Sequence, residues 1–374
     1  MTDVRPFTLE IPQAQLDDLN LRLDLTRWPE RECVADWMQG TPLAALQELL
    51  GYWRNGYDWR RCEARLNGLG QFVTTIDGLN IHFIHVRSRH PGAMPLIMTH
   101  GWPGSVIEFM GVIEALTDPD DPAQAFDLVL PSLPGFGFSG KPTATGWGVE
   151  KIARTWGELM RRLGYTRWVA QGGDWGSAVT TAIGVQMLEG CAAIHLNMPI
   201  GRPQPEDLAD PSPAELKALA ALKHYQDWDS GYSTQQRTRP QTVGYGLVDS
   251  PAGLAGWIFE KMWAWTDNSG SPYDALSKDQ ILDNIMLYWL PATGASSARL
   301  YWESFGAFAP QEIELPVAVS AFPREILPTP RKWAERNFKN LIHWGEMDKG
   351  GHFAAWEQPA AFVAELRTAF SQIR

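Results

Sequence analysis

The chain is poor in cysteine, carries no basic excess and has no long apolar run. Its three cysteines, Cys33, Cys62 and Cys191, are odd in number, widely spaced and form no CxxC pair. That pattern excludes a disulfide framework and a cysteine-based zinc site, and it fits a reducing compartment, expected to be the cytoplasm. No stretch of 18 apolar residues occurs, so no membrane-spanning helix or anchor is predicted. The opening Met1-Thr2-Asp3-Val4-Arg5-Pro6 has no apolar core behind it, so no signal peptide is read there. Lys and Arg number 32 against 43 Asp and Glu, a formal charge of −11. An acidic surface argues against nucleic acid or an anionic membrane as partner. Internal repeats and low-complexity tracts are also missing.

What is present is 44% hydrophobic residues over 374 positions, enough for a large core with a smaller attached domain. Residues 1–70 read as helical: Leu16, Leu19 and Leu23 recur at helical spacing, and a second set, Leu46, Leu49, Leu50 and Trp53, follows Thr41-Pro42-Leu43. The period then changes. Residues 72–76 and 81–86 flank Asp77-Gly78, a hairpin turn. Short apolar strands are predicted at 96–99, 126–130 and 167–171, with a helix over 149–163. Strands alternating with helices indicate a parallel sheet covered on both faces. Residues 201–307 read as helical and polar, strand character returns at 317–320 and 341–344, and a helix closes the chain over 358–370. The expected division is a helical extension (1–70), a first core part (71–200), a helical insertion over the carboxyl edge of the sheet (201–307) and a second core part (308–374).

The most informative residues are Gly172-Gly173-Asp174-Trp175-Gly176, placed after Trp168-Val169-Ala170. This is the small-X-nucleophile-X-small pattern of a sharp strand-to-helix turn, where glycines leave room beside the nucleophile. The nucleophile here is an aspartate. A carboxylate does little to an amide, but it can displace a leaving group from saturated carbon and form an ester. Epoxides and alkyl halides are such substrates.

That chemistry needs oxyanion donors, a base, an orienter for the base and an acid for the leaving oxygen. His100-Gly101-Trp102-Pro103 follows the strand at 96–99. The backbone N–H groups of Trp102 and Trp175 are the expected oxyanion donors, with His100, Gly101 and Pro103 shaping the loop. His352, in Gly350-Gly351-His352-Phe353 between the last strand and the last helix, is the expected base. His82 and His85 are three apart in a strand and point to opposite sides; His195 is expected to be packed. Glu325, in Phe322-Pro323-Arg324-Glu325, arrives from the adjacent strand end and is favoured as orienter over Glu346 and Asp348 on the histidine's own loop.

Together these motifs resemble the microsomal-type branch of the epoxide hydrolases, within the α/β-hydrolase superfamily. The resemblance covers nearly the whole chain. The segment from Phe7-Thr8-Leu9 through Trp28-Pro29 to Tyr57 and Trp59 is similar to that branch's N-terminal region. Residues 100–105, 172–176 and 350–355 match its oxyanion loop, nucleophile elbow and histidine loop, and its Phe-Pro-x-acid motif places the acid at Glu325. The resemblance implies an α/β-hydrolase fold with a helical cap, and ring-opening tyrosines at Tyr232 and Tyr301. Spacing alone does not select those two from nine tyrosines. A phenol is protonated at neutral pH and can donate to a departing epoxide oxygen. The membrane-anchoring segment of some members has no counterpart here, so a soluble form is expected.

The activity implied is opening of a small hydrophobic epoxide by water to a vicinal diol, through an aspartyl ester, with no cofactor and no metal. A homo-oligomer is compatible with it. The alternatives are a haloalkane dehalogenase, which would hold halide with indole N–H groups, and a non-catalytic ligand-binding protein of the same fold.

Overall fold

Asp77 and Gly78 both adopt positive φ, 50° and 78°, the requirement of a tight two-residue hairpin turn. They join β2 (Gln71–Ile76) to β3 (Leu79–Val86) in antiparallel register. The structure, a computed structural model, describes residues 3–374; Met1 and Thr2 of the opening segment lie outside the described residues. β1 (Val4–Pro6) pairs antiparallel with β2. The remaining strands are β4 (Met94–Thr99), β5 (Phe126–Pro131), β6 (Trp168–Gly172), β7 (Cys191–Leu196), β8 (Ile313–Ala321) and β9 (Phe338–Glu346).

They form one sheet in the order β1-β2-β3-β5-β4-β6-β7-β8-β9. The pairs from β5 through β9 are parallel, whereas β3 joins β5 antiparallel. The sheet is therefore mixed: the antiparallel hairpin β2-β3, read from the sequence, lies toward one edge, and its antiparallel joining to β5 adds to the parallel part that was expected. β1 was missed, because three residues are too few to show a period of two. The central strands are buried on both faces: Leu96, Ile97, Met98, Val169 and Ala170 are inaccessible to solvent, as parallel strands between helical layers must be.

β4 lies between β5 and β6, so the chain leaves β4 in one direction and later returns to its other side. The crevice beyond the carboxyl ends of β4 and β6 is thus the point where the winding reverses, the usual ligand position in such sheets. Both glycine-rich motifs start there.

Between β7 and β8 run seven α-helices, from Pro205–Ala209 to Gly294–Ser304. This segment is helical as expected but not polar throughout. Leu254, Ile258, Phe259, Met262, Ile281, Leu282 and Ile285 are fully buried. Polar residues at the entry, around Pro203 and Pro211, disguise that apolar core. The helix Lys278–Trp289 is braced from the N-terminal segment. Tyr52 donates to Asp279 (2.8 Å), and Tyr57 and Arg61 donate to Asp283 (2.7 Å each). On its other side the same helix holds the loop after β4. Asn284 donates to the Pro103 carbonyl and Tyr288 to the Gly104 carbonyl, both at 2.7 Å.

Candidate active site

The turn after β6 leaves no space for side chains at its glycines. A Cβ at Gly172 would overlap the carbonyl of Gly176, and one at Gly176 would overlap the carbonyl of Thr99. Asp174 sits between them at φ 51° and ψ −127°, a conformation unfavourable for any residue with a Cβ. The helix Trp175–Val185 starts immediately after it. The carboxylate therefore stands at the end of β6 beside the positive N-terminus of a helix.

Each oxygen of Asp174 has its own partner. The backbone N–H of Trp102 donates to Oδ1 at 2.7 Å, and Nε2 of His352 lies 3.3 Å from Oδ2. A Cβ at Gly101 would overlap Oδ1, so this approach requires glycine there. His100 is tied into this loop: its Nδ1 pairs with the Gly101 carbonyl at 2.9 Å, and its Nε2 faces the Leu133 N–H at 3.2 Å. Burial lowers that imidazole to about 4, so it is neutral, and these partners fit a proton on Nδ1.

β8 and β9 are neighbours, and their extensions bring Glu325 and His352 together. Nδ1 of His352 is 2.7 Å from Oε1 of Glu325, with both side chains buried. Burial alone would depress the imidazole, but Glu325 and Asp174 together hold it well above its usual value. Glu346 makes its side-chain hydrogen bond with Trp344 instead.

Tyr232 and Tyr301 come from two different inserted helices, yet their rings lie 5.8 Å apart. Tyr232 stacks on Trp102 at 4.8 Å, and Tyr301 meets Trp175 edge-on at 4.8 Å. Both phenols are raised well above their ordinary value by burial, so both remain protonated donors. The Tyr301 hydroxyl has no hydrogen-bond partner. Both tyrosines line, with Asp174, Trp175, Leu222 and Phe308, a cavity of about 530 Å³, within the range of small-molecule sites.

The other histidines stand apart. His82 bonds Ser132 and Gln71, His85 bonds Tyr165, and His195 bonds Ser320. Among the described residues no group of three or more His, Cys, Asp or Glu is arranged to hold a metal ion, and no helix is long and apolar enough to cross a membrane.

Three features of the site were not foreseen from the sequence. Tyr225 faces the Tyr232 hydroxyl at 3.4 Å from a π-helical turn. Lys261 is buried with Asp229, its Nζ 2.8 Å from the carboxylate and 4.6 Å from the centre of the Tyr232 ring. Glu357 accepts the backbone N–H groups on both sides of His352, from Gly351 (3.1 Å) and Phe353 (3.0 Å), and that of Asp267 (2.6 Å). Only Glu357 could have been suspected, as an acid in the first turn after a functional loop.

Comparison with known proteins identifies the family. The family described as Epoxide hydrolase N terminus matches residues 4–109, and the alpha/beta hydrolase fold family matches residues 94–246. Epoxide hydrolase 1 of Sus scrofa is 35% identical, covering 97% of this chain and 88% of its own. A Stigmatella aurantiaca protein provisionally named as an epoxide hydrolase is 56% identical over 99% of this chain and 86% of its own. The chain belongs to the epoxide hydrolase family. Among solved structures, the Aspergillus niger epoxide hydrolase superposes with a TM-score of 0.90 at 34% identity, covering 99% of this chain and 96% of that one. The juvenile hormone epoxide hydrolase of Bombyx mori gives 0.91 at 30% identity, covering 100% and 95%. The fold is the α/β-hydrolase fold, and the enzyme is an epoxide hydrolase. Membership sets aside the dehalogenase and non-catalytic alternatives.

Proposed function

We propose that the enzyme opens hydrophobic epoxides in two steps, with Asp174 as nucleophile. Oδ2 of Asp174 attacks an epoxide carbon, a C–O bond of the ring breaks, and Tyr232 and Tyr301 donate to the departing oxygen. The product of this step is an ester on Asp174. His352 then takes a proton from water, the water oxygen attacks the ester carbonyl carbon, and Trp102 N–H, with Trp175 N–H, stabilises the oxyanion. Collapse of that intermediate breaks the bond to the alkyl oxygen, which takes the proton from His352. The Asp174 carboxyl left behind gives up the second water proton, and that proton balances the one the ring oxygen took from the tyrosines. The diol thus leaves with both hydroxyls protonated, and the enzyme returns to its starting state. Glu325 orients the imidazole and stabilises its charged form. Residues 201–307 act as the cap that carries the acid side of the reaction, and residues 1–70 brace that cap. The largely apolar cavity favours apolar epoxides.

The observation carrying this reading is the division of labour at Asp174. Oδ1 lies against the Trp102 N–H, where an ester's carbonyl oxygen would need a donor. Oδ2 is then the oxygen available for attack. A single turnover in oxygen-18 water tests it: the label should enter the Asp174 carboxylate, and the first diol should carry none. Label appearing directly in the first diol would mean that water attacks the epoxide without an ester.

A further inference from the structure

Asp174 borders two separate spaces. One is the large cavity with the tyrosines. The other is a small chamber on the side of His352, which the tyrosines do not line. The chamber leaves about 10 Å³ for water centres, close to the least that a single ordered water needs. A water there also needs two to four polar partners. Those lining it include Asp174, His352, Glu108 and Gln171.

Two of these have no role in the steps above. Gln171, on β6, is 1% exposed. Its Nε2 donates to Asn197 at 2.8 Å, while its Oε1 is buried without any partner. A lone acceptor in that position lacks a hydrogen bond that burial makes costly to forgo. Glu108 lies in the 3₁₀ turn Val106–Phe109, just after the oxyanion loop. Its carboxyl group occupies the space that a side chain at position 104 would fill, since a Cβ on Gly104 would fall on its Oε1. An acid here is not needed to fill volume; leucine would fill it without burying a carboxyl. Burial raises this carboxyl to about 8, with His352 opposing and the charge of Asp174 adding to the rise.

We propose that Glu108 and Gln171 hold the water that hydrolyses the Asp174 ester, in a chamber separate from the epoxide cavity. The inference rests on the ester reading above. In the ester, the alkyl group and the tyrosines occupy one side of Asp174, and water must come from the other. A water in the chamber donates one hydrogen to Nε2 of His352 and the other to Oε1 of Gln171. The protonated carboxyl of Glu108 donates to one lone pair of its oxygen. The remaining lone pair is then free to attack the ester carbonyl carbon. As that C–O bond forms, the O–H bond to His352 breaks and the proton moves to Nε2. Neither Glu108 nor Gln171 changes its own protonation.

Single-turnover kinetics with an aryl epoxide such as styrene oxide tests this, following ester formation and ester decay separately by quenched-flow intact mass. Glu108→Leu and Gln171→Met should each slow ester decay by about tenfold or more, the size expected when one hydrogen bond to a reacting group is lost. Ester formation should stay within about twofold of the wild type, which a general loss of packing would not allow. Glu108→Gln, which keeps a donor of the same shape, should recover most of the loss. Unchanged ester decay in both apolar variants overturns the proposal, as does equal slowing of both steps. If His352→Gln forms no ester, the ester reading itself fails, and this proposal with it.

Discussion

The backbone N–H of His352 donates to the carbonyl of Trp265 at 2.9 Å. The loop carrying His352 therefore hangs on the inserted helices rather than on the sheet alone. Trp265 also packs its ring 5.1 Å from His352 and 5.2 Å from Tyr232, and its Nε1 donates to Asp229 at 2.6 Å. Lys261 donates to the same Asp229 carboxylate. One buried ion pair thus supports residues on both sides of Asp174.

Replacing Lys261 by methionine keeps the bulk and strands the Asp229 charge. The expected loss is about 3 kcal/mol of stability, read by urea unfolding. Both ester formation and ester decay should slow. A variant as stable and as active as the wild type would remove this bridge from the account.

Removing the base should separate the two steps. His352→Gln should accumulate the ester on Asp174, seen as added mass after brief exposure to epoxide. Glu325→Gln should decay more slowly than wild type, and Glu346→Gln and Asp348→Asn should be close to wild type. The reverse order would move the orienting acid to the histidine loop.

The two tyrosines should act mainly in ring opening. Tyr232→Phe and Tyr301→Phe should each raise the barrier to ester formation, by about 2–4 kcal/mol if neither substitutes for the other. The double variant should form almost no ester. Stopped-flow tryptophan fluorescence offers a direct readout, since Trp102 and Trp175 pack on these rings. Unaltered ring opening in the double variant would assign the acid elsewhere.

The raised imidazole of His352 makes a prediction about pH. Its folded value lies above the unfolded value of about 6.5, so its contribution to stability is fully present below about pH 6.5. It is lost as pH rises through the folded value. Glu325→Gln removes the carboxylate 2.7 Å from Nδ1, one of the two that support that rise. The stability gap between wild type and Glu325→Gln should therefore be widest in acid and narrow toward alkaline pH, in urea titrations across the range. A gap that widens with pH would reverse the sign and exclude a stabilised imidazolium.

Glycine substitutions should divide sharply. Gly176→Ala would drive a methyl group into the Thr99 carbonyl, and a folded, soluble product is not expected. Gly51 lies inside the helix Leu43–Asn55 with nothing near its Cβ position. Gly51→Ala should raise stability by about 0.5–1 kcal/mol, measurable as an increase in Tm.

Residues close together in sequence were the legible ones. The elbow, the oxyanion loop and the histidine loop are each continuous, and backbone sterics restrict their glycines, so their chemistry shows as a local pattern. Glu325 could be inferred because two neighbouring strand ends must converge. Tyr232 and Tyr301 lie on separate helices and meet only through packing, so the residues alone did not distinguish them; the family resemblance did. Lys261 with Asp229, and Glu108 with Gln171, are joined across different elements by burial, which no spacing records. The antiparallel joining of the hairpin to β5 was not legible for a related reason. Pairing direction is decided between strands, and an apolar run looks the same in either direction.

Asp174 holds φ 51° and ψ −127°, a shape that glycine adopts at little cost and aspartate only under constraint. Relieving such a residue is worth on the order of 1–3 kcal/mol. Thermal selection on this protein without a demand for turnover would therefore favour Asp174→Gly, and the hardiest survivors would be catalytically silent. Improvement for industrial heat resistance has to score diol formation at every round, because at this one position robustness and reactivity are opposed by the backbone itself.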